Sequence, residues 1–216
     1  MIVSMWMTRD LVTIRPDTLI TEAAALMSQH HIHRLLVVET NPQGTHLLGI
    51  VSARDILHAF PSDVNPFAVA APEAQMKPVR ASQIMSRSLQ TTTPETPIEE
   101  AARLMTENNI GSLPVLRGGK LVGLVTESDI FRAFVSFFET PQRGVRITFD
   151  ISSGENIFDF ISHEARRRKL RILSLISSHQ ENLPVCVVRI AGNDVDALLD
   201  DLWNSGHRVI NVLRFD

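Results

Sequence analysis

One pattern occurs twice in this chain, and any fold must accommodate both copies. Gly49-Ile50-Val51-Ser52-Ala53-Arg54-Asp55 returns as Gly123-Leu124-Val125-Thr126-Glu127-Ser128-Asp129, and each stretch runs into an apolar helical pattern. Upstream, Met7-Thr8 matches Met85-Ser86, and Pro16 matches Pro94. Ala23-Ala24 and Leu26-Met27 match Ala101-Ala102 and Leu104-Met105, and Ile32 to Val38 faces Ile110 to Leu116. The copies differ in length where a hairpin tip is expected, at Thr40 to Thr45 against Gly118-Gly119-Lys120, which is where a duplicated unit tolerates a difference. Each copy reads as β-α-β-β-α, with Ile20, Ala23, Ala24 and Met27 on the buried face of its first helix. So small a unit has a thin core, so the copies are expected to pack as a pair with clefts between them. The expected spans are 1–60 for the first copy, 61–80 for a linker carrying Pro61, Pro66, Pro72 and Pro78, and 81–137 for the second copy. Phe60, Val64 and Phe67 are expected to hold that linker against the surface.

The duplicated junction supports two readings. Ser52 with Asp55, and Thr126 with Asp129, fit the [S/T]-x-x-[D/E] capping box that opens a helix without any ligand. A strand leading into a capped helix also gathers a hydroxyl, a carboxylate and free backbone N–H groups at one spot, which can hold a ribose and a phosphate. Duplication of the whole surrounding pattern favours the ligand reading.

Composition narrows the classes. With 216 residues, 44% of them hydrophobic, the chain can bury a sizeable core. A net charge of −3, no tyrosine and 6% aromatics give no general bias toward nucleic acid. The single cysteine, Cys186, precludes an internal disulfide and suits a reducing cytoplasm. No apolar run is long enough to cross a bilayer, and the first residues lack a signal-peptide pattern. A soluble, cytoplasmic protein is expected.

Beyond Pro141 the pattern changes. Val145 to Ile151 alternates as a strand does, and Ile157, Phe158, Ile161 and Ala165 follow helical spacing. Two further strands are expected at Leu170 to Ser177 and Pro184 to Ala191, around a turn at His179-Gln180-Glu181-Asn182. A helix carrying Val195, Leu198, Leu199, Leu202 and Trp203 and a last strand from Arg208 to Leu213 complete β-α-β-β-α-β, a ferredoxin-like layer over 143–216.

These residues carry a family resemblance. Residues 5–137 resemble a tandem pair of CBS domains, through Met7-Thr8, Pro16, Leu26-Met27, Gly49 to Asp55 and their second set from Met85-Ser86 to Asp129. Residues 143–216 look like an ACT-like domain, a weaker match resting on element order and the turn Asp150-Ile151-Ser152-Ser153-Gly154. The combined order is similar to acetoin-utilisation accessory proteins. The fold class this implies is α/β (α+β), two β-α-β-β-α repeats packed as a pair plus the ferredoxin-like domain.

The resemblance implies a regulatory sensor of AMP, ADP, ATP or S-adenosylmethionine, bound between the repeats as a regulatory ligand and not as a catalytic cofactor. By position, Asp55 and Asp129 would accept from ribose hydroxyls, and an ionised carboxylate suits a vicinal diol that donates twice. Ser52 and Thr126 would contact ribose or phosphate oxygens. Thr13, Ile14, Thr92, Leu35, Leu113, Pro114 and Val115 are candidates for the pocket wall and for enclosing the adenine. His33, Arg34 and Arg54 supply cations for phosphates in the first copy, where the second has Gly111, Ser112 and Ser128. That asymmetry argues against two equal sites. In the ACT-like part, an amino-acid effector is expected near Asp150, Ser153, Gly154 and Asn156. Ser153-Gly154 stands there in place of the usual Pro-Gly, which leaves a purely dimerising role equally open.

Other signals are discounted. His30, His31, His33, His46 and His58 invite a metal reading, but the repeat places Asn108, Asn109 and Gly111 opposite the first three, so no metal is expected. Arg166-Arg167-Arg168-Lys169 ends a helix, where the macrodipole favours cations; the alternative is a docking patch for an acidic partner or nucleic acid. No nucleophile–base pair, metal set or Gly-rich phosphate loop points to an enzyme. The expectation is a non-enzymatic homodimeric sensor. Two alternatives stay open: an accessory subunit of a partner enzyme with vestigial pockets, and an amino-acid sensor acting through the C-terminal domain.

Overall fold

A computed structural model describes residues 1–42, 44–59, 78–136, 143–154, 156–178 and 184–215. The expected linker up to residue 77 with Phe60, Val64 and Phe67, Pro141 and the turn at His179 to Asn182 lie outside them. The chain divides into two compact units, Met1–Ala133 and Phe134–Asp216.

In the first unit, copy one consists of β1 (Thr13–Ile14), α1 (Ile20–His30), β2 (Arg34–Asn41), β3 (Gly44–Ser52) and α2 (Ala53–Ala59). β1 runs parallel to β2 and β2 antiparallel to β3. After the four-residue helix α3 (Ala81–Ile84), copy two repeats the plan with α4 (Ile98–Glu107), β4 (Ser112–Arg117), β5 (Lys120–Thr126) and α5 (Glu127–Ser136). Its counterpart of β1 shrinks to one parallel bridge, Thr92 to Val115. α1 buries Ile20, Ala23 and Met27, and α4 buries Ile98, Ala101 and Met105, the same face at the same spacing. Both helices end in a left-handed residue, His31 (φ 53°) and Asn109 (φ 51°). The duplicated backbone thus accounts for His31 without a metal.

Each copy completes its core with the other copy's leading segment. Val3 and Met7 belong to the cluster around Ile98, Met105, Leu113 and Val125 of copy two. Ala81 and Met85 belong to the cluster around Ile20, Met27, Leu35 and Val51 of copy one. Backbone bonds tie the exchange: Val3 N donates to Thr96 O at 2.9 Å, Thr8 N to Leu124 O at 2.9 Å, Ile50 N to Ser86 O at 3.0 Å, and Ala81 N to Thr18 O at 2.8 Å. The duplicated glycines mark the crossings. A Cβ on Gly49 would sit 2.8 Å from Met85 Sδ and 2.9 Å from Ser86 O; one on Gly123 would sit 2.7 Å from Met7 Sδ and 3.0 Å from Thr8 O.

The second unit comprises β6 (Gly144–Asp150), α6 (Ile157–Arg168), β7 (Arg171–Ser178), β8 (Val185–Ala191), α7 (Val195–Asn204) and β9 (Val209–Phe215). Its sheet runs β7-β8-β6-β9, antiparallel throughout. Val145, Ile147, Phe149, Val188 and Ile190 face the helices and pack on Ile157, Ile161, Leu198 and Leu202.

The basic run at the end of α6 is used inside this unit. Arg167 Nη2 donates to Glu164 Oε2 at 2.6 Å, and Arg168 Nε to the same oxygen at 3.2 Å. Both arginines also bond Asp201, and Arg168 reaches Asp194 at 3.1 Å. The docking reading therefore loses two of its four cations to the α6–α7 contact. The Arg168 hydrogen bond holds the Asp201 carboxyl below its ordinary pKa, and bonds from Ser152, with Arg208 nearby, do the same for Asp150. A carboxyl whose folded pKa is depressed stabilises the fold above its unfolded pKa, and that contribution is lost as pH falls through the folded value. The melting temperature of this unit should hold above about pH 5 and drop below about pH 4, read by the fluorescence of Trp203 in a Trp6→Phe background. Asp201→Asn should flatten that acid limb; an unchanged limb would assign it elsewhere.

Candidate functional site

Each duplicated junction folds into a complete capping box. Asp55 Oδ2 accepts from Ser52 N and from Ser52 Oγ, both at 2.7 Å, while Asp55 N donates to Ser52 Oγ at 3.2 Å. Asp129 Oδ2 accepts from Thr126 N and Thr126 Oγ1, both at 2.8 Å, and Asp129 N donates back at 3.3 Å. The bland reading of these residues is therefore realised, but it occupies only one oxygen of each carboxylate.

The second oxygen separates the copies. Asp129 Oδ1 takes the guanidinium of Arg132, one turn along α5, and Asp129 is only 2% exposed. Asp55 is half-buried, and the position matching Arg132 is His58, which is bonded by Arg54 Nε at 3.4 Å. Among the described residues Asp55 thus keeps an acceptor oxygen available in copy one, while its counterpart is closed. The sequence signal for this difference is local: at the same i, i+3 spacing, copy two has an always-charged arginine where copy one has a histidine.

Arg34 pairs across the ladder with Ser52, which places it beside the copy-one junction. Its guanidinium reaches copy two and lies against Gly111, with Glu127 Oε2 on the same spot, so a side chain at 111 would displace it. Gly111 is a notch for Arg34 and not merely an uncharged substitute for His33. His33 lines a pocket of about 380 Å³ with Met27, Ser28, His31, Ile32 and Ala53, adjoining Ser52 through Ala53. Arg54 is exposed on α2. Thr13 is half-buried and pairs with Leu36. Thr92 is 6% exposed, and its hydroxyl has no hydrogen-bond partner among the described residues.

The residues expected to enclose an adenine fall on both faces of their strands. Ile14 and Leu35 lie in the helix-side core of copy one, and Leu113 and Val115 in that of copy two; none is more than 3% exposed. Strand side chains alternate faces, so Leu36 and Pro114 point the other way, and of these two the reading from sequence singled out only Pro114. The effector turn is likewise self-satisfied. Asp150 Oδ1 accepts from Ser152 N at 2.8 Å, Asn156 Nδ2 donates to Asp159 at 2.7 Å, and Gly154 (φ 76°) closes a turn onto Ile151 O. Among the described residues no group of three His, Cys, Asp or Glu side chains converges. Cys186 is buried, and burial pushes its thiol pKa up. No described helix is long and apolar enough to cross a membrane.

Comparison with known proteins locates this geometry. The family model described as CBS domain matches residues 3–62 and 81–136. A CBS domain-containing protein of Dictyostelium discoideum is 34% identical over 142 residues, covering 64% of this chain and 94% of that protein. The chain spans 34% of the inosine-5'-monophosphate dehydrogenase of Korarchaeum cryptofilum that it also matches. Among solved structures, the CBS domain pair of protein MJ0100 in complex with 5'-methylthioadenosine and S-adenosyl-L-methionine superposes with a TM-score of 0.51 at 28% identity, over 63% of this chain and 97% of that one. A putative acetoin utilization protein from Vibrio cholerae does so with 0.51 at 27% identity, over 64% and 93%.

Proposed function

The chain belongs to the CBS domain family, and on that premise we propose that it is a non-enzymatic regulator binding one adenosine-containing ligand per chain at the copy-one junction. The observation carrying this reading is the unequal state of the two carboxylates. Asp55 offers a half-buried acceptor to a ribose diol, whereas Asp129 is already committed to Arg132. Ser52 stands beside it, Arg34 lies across the ladder, and His33 lines the adjoining pocket. Leu36 and Pro114, on the faces turned from the helices, are the apolar candidates for the base. The family resemblance to a pair complexed with S-adenosyl-L-methionine and 5'-methylthioadenosine supports an adenosyl ligand.

The C-terminal unit, on this reading, is an ACT-like module that dimerises through its edge strands β7 and β9, whose outer ladders are unpaired in the sheet order. Ligand binding then biases how the chain engages a second copy or a partner enzyme, to the extent of the ligand's differential affinity for the two states.

Calorimetric titration with AMP, ATP, S-adenosylmethionine and 5'-methylthioadenosine tests this. One ligand should bind per chain; Asp55→Ala should abolish the heat, and Asp129→Ala should keep it. Asp55→Asn retains an acceptor for the Ser52 N–H and controls for loss of the cap, worth about 1 kcal/mol. Binding that follows Asp129 instead would reverse the assignment, and silence from every ligand would favour an accessory subunit with vestigial pockets.

A further inference from the structure

The face of the C-terminal sheet turned away from α6 and α7 holds two arginines opposite each other. Arg146 on β6 pairs with Arg189 on β8, and the same row continues to Ser174 on β7 and Leu213 on β9. Directly opposite residues bring their Cβ atoms to about 5 Å, and like charges placed so repel. Neither guanidinium has a described hydrogen-bond or ion-pair partner. Arg189 is 7% exposed and its Nε is buried without a partner. Its guanidinium instead stacks on the Phe215 ring, 4.3 Å from the centroid.

A buried, unsatisfied guanidinium beside a second one is a costly arrangement in an empty site. The neighbouring rows supply no carboxylate. On one side stand Arg171, Ala191, Gly144 and Phe215; on the other stand Ile176, Val187, Thr148 and Asn211. The acid on this face, Asp150, is two rows further and engaged by Ser152 and Arg208. Burial, and then Arg146, push the Arg189 pKa down, the direction expected where a counter-anion is missing.

We infer that Arg146 and Arg189 form an anion site on this sheet face for a small carboxylate with a short apolar body. Two forks suit the two oxygens of one carboxylate. The surrounding strand amides are spent in the ladder, so no cluster of backbone N–H groups stands by for the further oxygens of a phosphate. Val187, Ile176 and Leu213 offer apolar surface to the body of the molecule. Ser174, Thr148 and Asn211 offer neutral acceptors, but no carboxylate stands in these rows to pair with an ammonium, so the ligand is an organic acid and not an amino acid. The C-terminal unit would then sense an acid on the sheet face and not at the β6–α6 turn.

Thermal melts of the full chain in isobutyrate, leucine, inorganic phosphate and a chloride control of equal ionic strength test the assignment. Isobutyrate should raise the melting temperature above the chloride control. Arg146→Gln and Arg189→Gln should each weaken its Kd by about tenfold or more, the loss expected for a charge-assisted hydrogen bond. Asp55→Ala should leave the response intact, which separates this site from the nucleotide reading. Arg146→Gln without ligand should melt no lower than the wild type, because a repulsion has been removed. Leucine or phosphate acting as well as isobutyrate, a response surviving both substitutions, or no response beyond chloride would each overturn the inference.

Discussion

Gly123→Ala lowers the stability of the Met1–Ala133 unit by about 1–3 kcal/mol, the cost of overpacking a close contact, although alanine is otherwise well tolerated in place of a strand glycine. The new Cβ would stand 2.7 Å from Met7 Sδ and 3.0 Å from the carbonyl oxygen of Thr8. The methionine can move; the backbone, held by Thr8 N to Leu124 O at 2.9 Å and Leu124 N to Thr8 O at 3.0 Å, gives way only by loosening that bridge. Met7→Ala alone empties a buried position and costs about 2–5 kcal/mol. Combined, the two changes should cost less than their sum, because the truncated side chain admits the new Cβ. Urea unfolding followed by Trp6 fluorescence in a Trp203→Phe background reads the cycle. Strict additivity would mean that Met7 and Gly123, far apart in sequence, do not meet, and would remove the segment exchange. At Gly49 the corresponding Ala substitution should be rescued in the same partial way by Met85→Ala, with the Ser86 carbonyl at 2.9 Å taking the place of the Thr8 carbonyl.

The other large effect is a gain. Arg132→Ala frees Asp129 Oδ1, and the chain should then bind two adenosyl ligands where it bound one. Removing a competing charged partner changes affinity by about 10- to 100-fold, on the scale of hydrogen bonds to charged groups. The capping box stays, since Thr126 uses Oδ2, so the fold is not at risk from loss of the cap. The buried, unpartnered hydroxyl of Thr92 in the same copy is a polar group that a ligand could satisfy. Titration stoichiometry gives the result. A value that stays at one would show that Arg132 is not what closes copy two.

Much of this architecture was legible from local pattern. The two copies, their helix faces at Ile20-Ala23-Met27 and Ile98-Ala101-Met105, and the capping residues Ser52, Asp55, Thr126 and Asp129 depend on neighbours within a few positions, which sequence displays directly. The second unit's element order was readable for the same reason. Leu35, Leu113 and Val115 prove to lie on the helix side of their strands, which sequence does not display because Leu35-Leu36-Val37-Val38 is a continuous apolar run. Both faces of that strand are buried, so there is no alternation to tell which residue faces the helices.

By itself, then, the sequence determined the duplicated β-α-β-β-α plan, the capped junctions and the family, because each rests on short-range spacing repeated twice. Tertiary structure alone decided which oxygens remain available and which cations are spent. Arg132 closes one junction, Arg34 crosses into the notch at Gly111, and Arg167 and Arg168 turn inward to Glu164 and Asp201. It also decided that Met7 completes copy two and Met85 copy one, and that Arg146 faces Arg189. The Met7, Met85, Arg34, Asp201 and Arg146–Arg189 contacts join residues distant along the chain, while Arg132 and Glu164 meet partners one helix turn away; in both cases a charge or a methionine carries no mark of which partner it will meet.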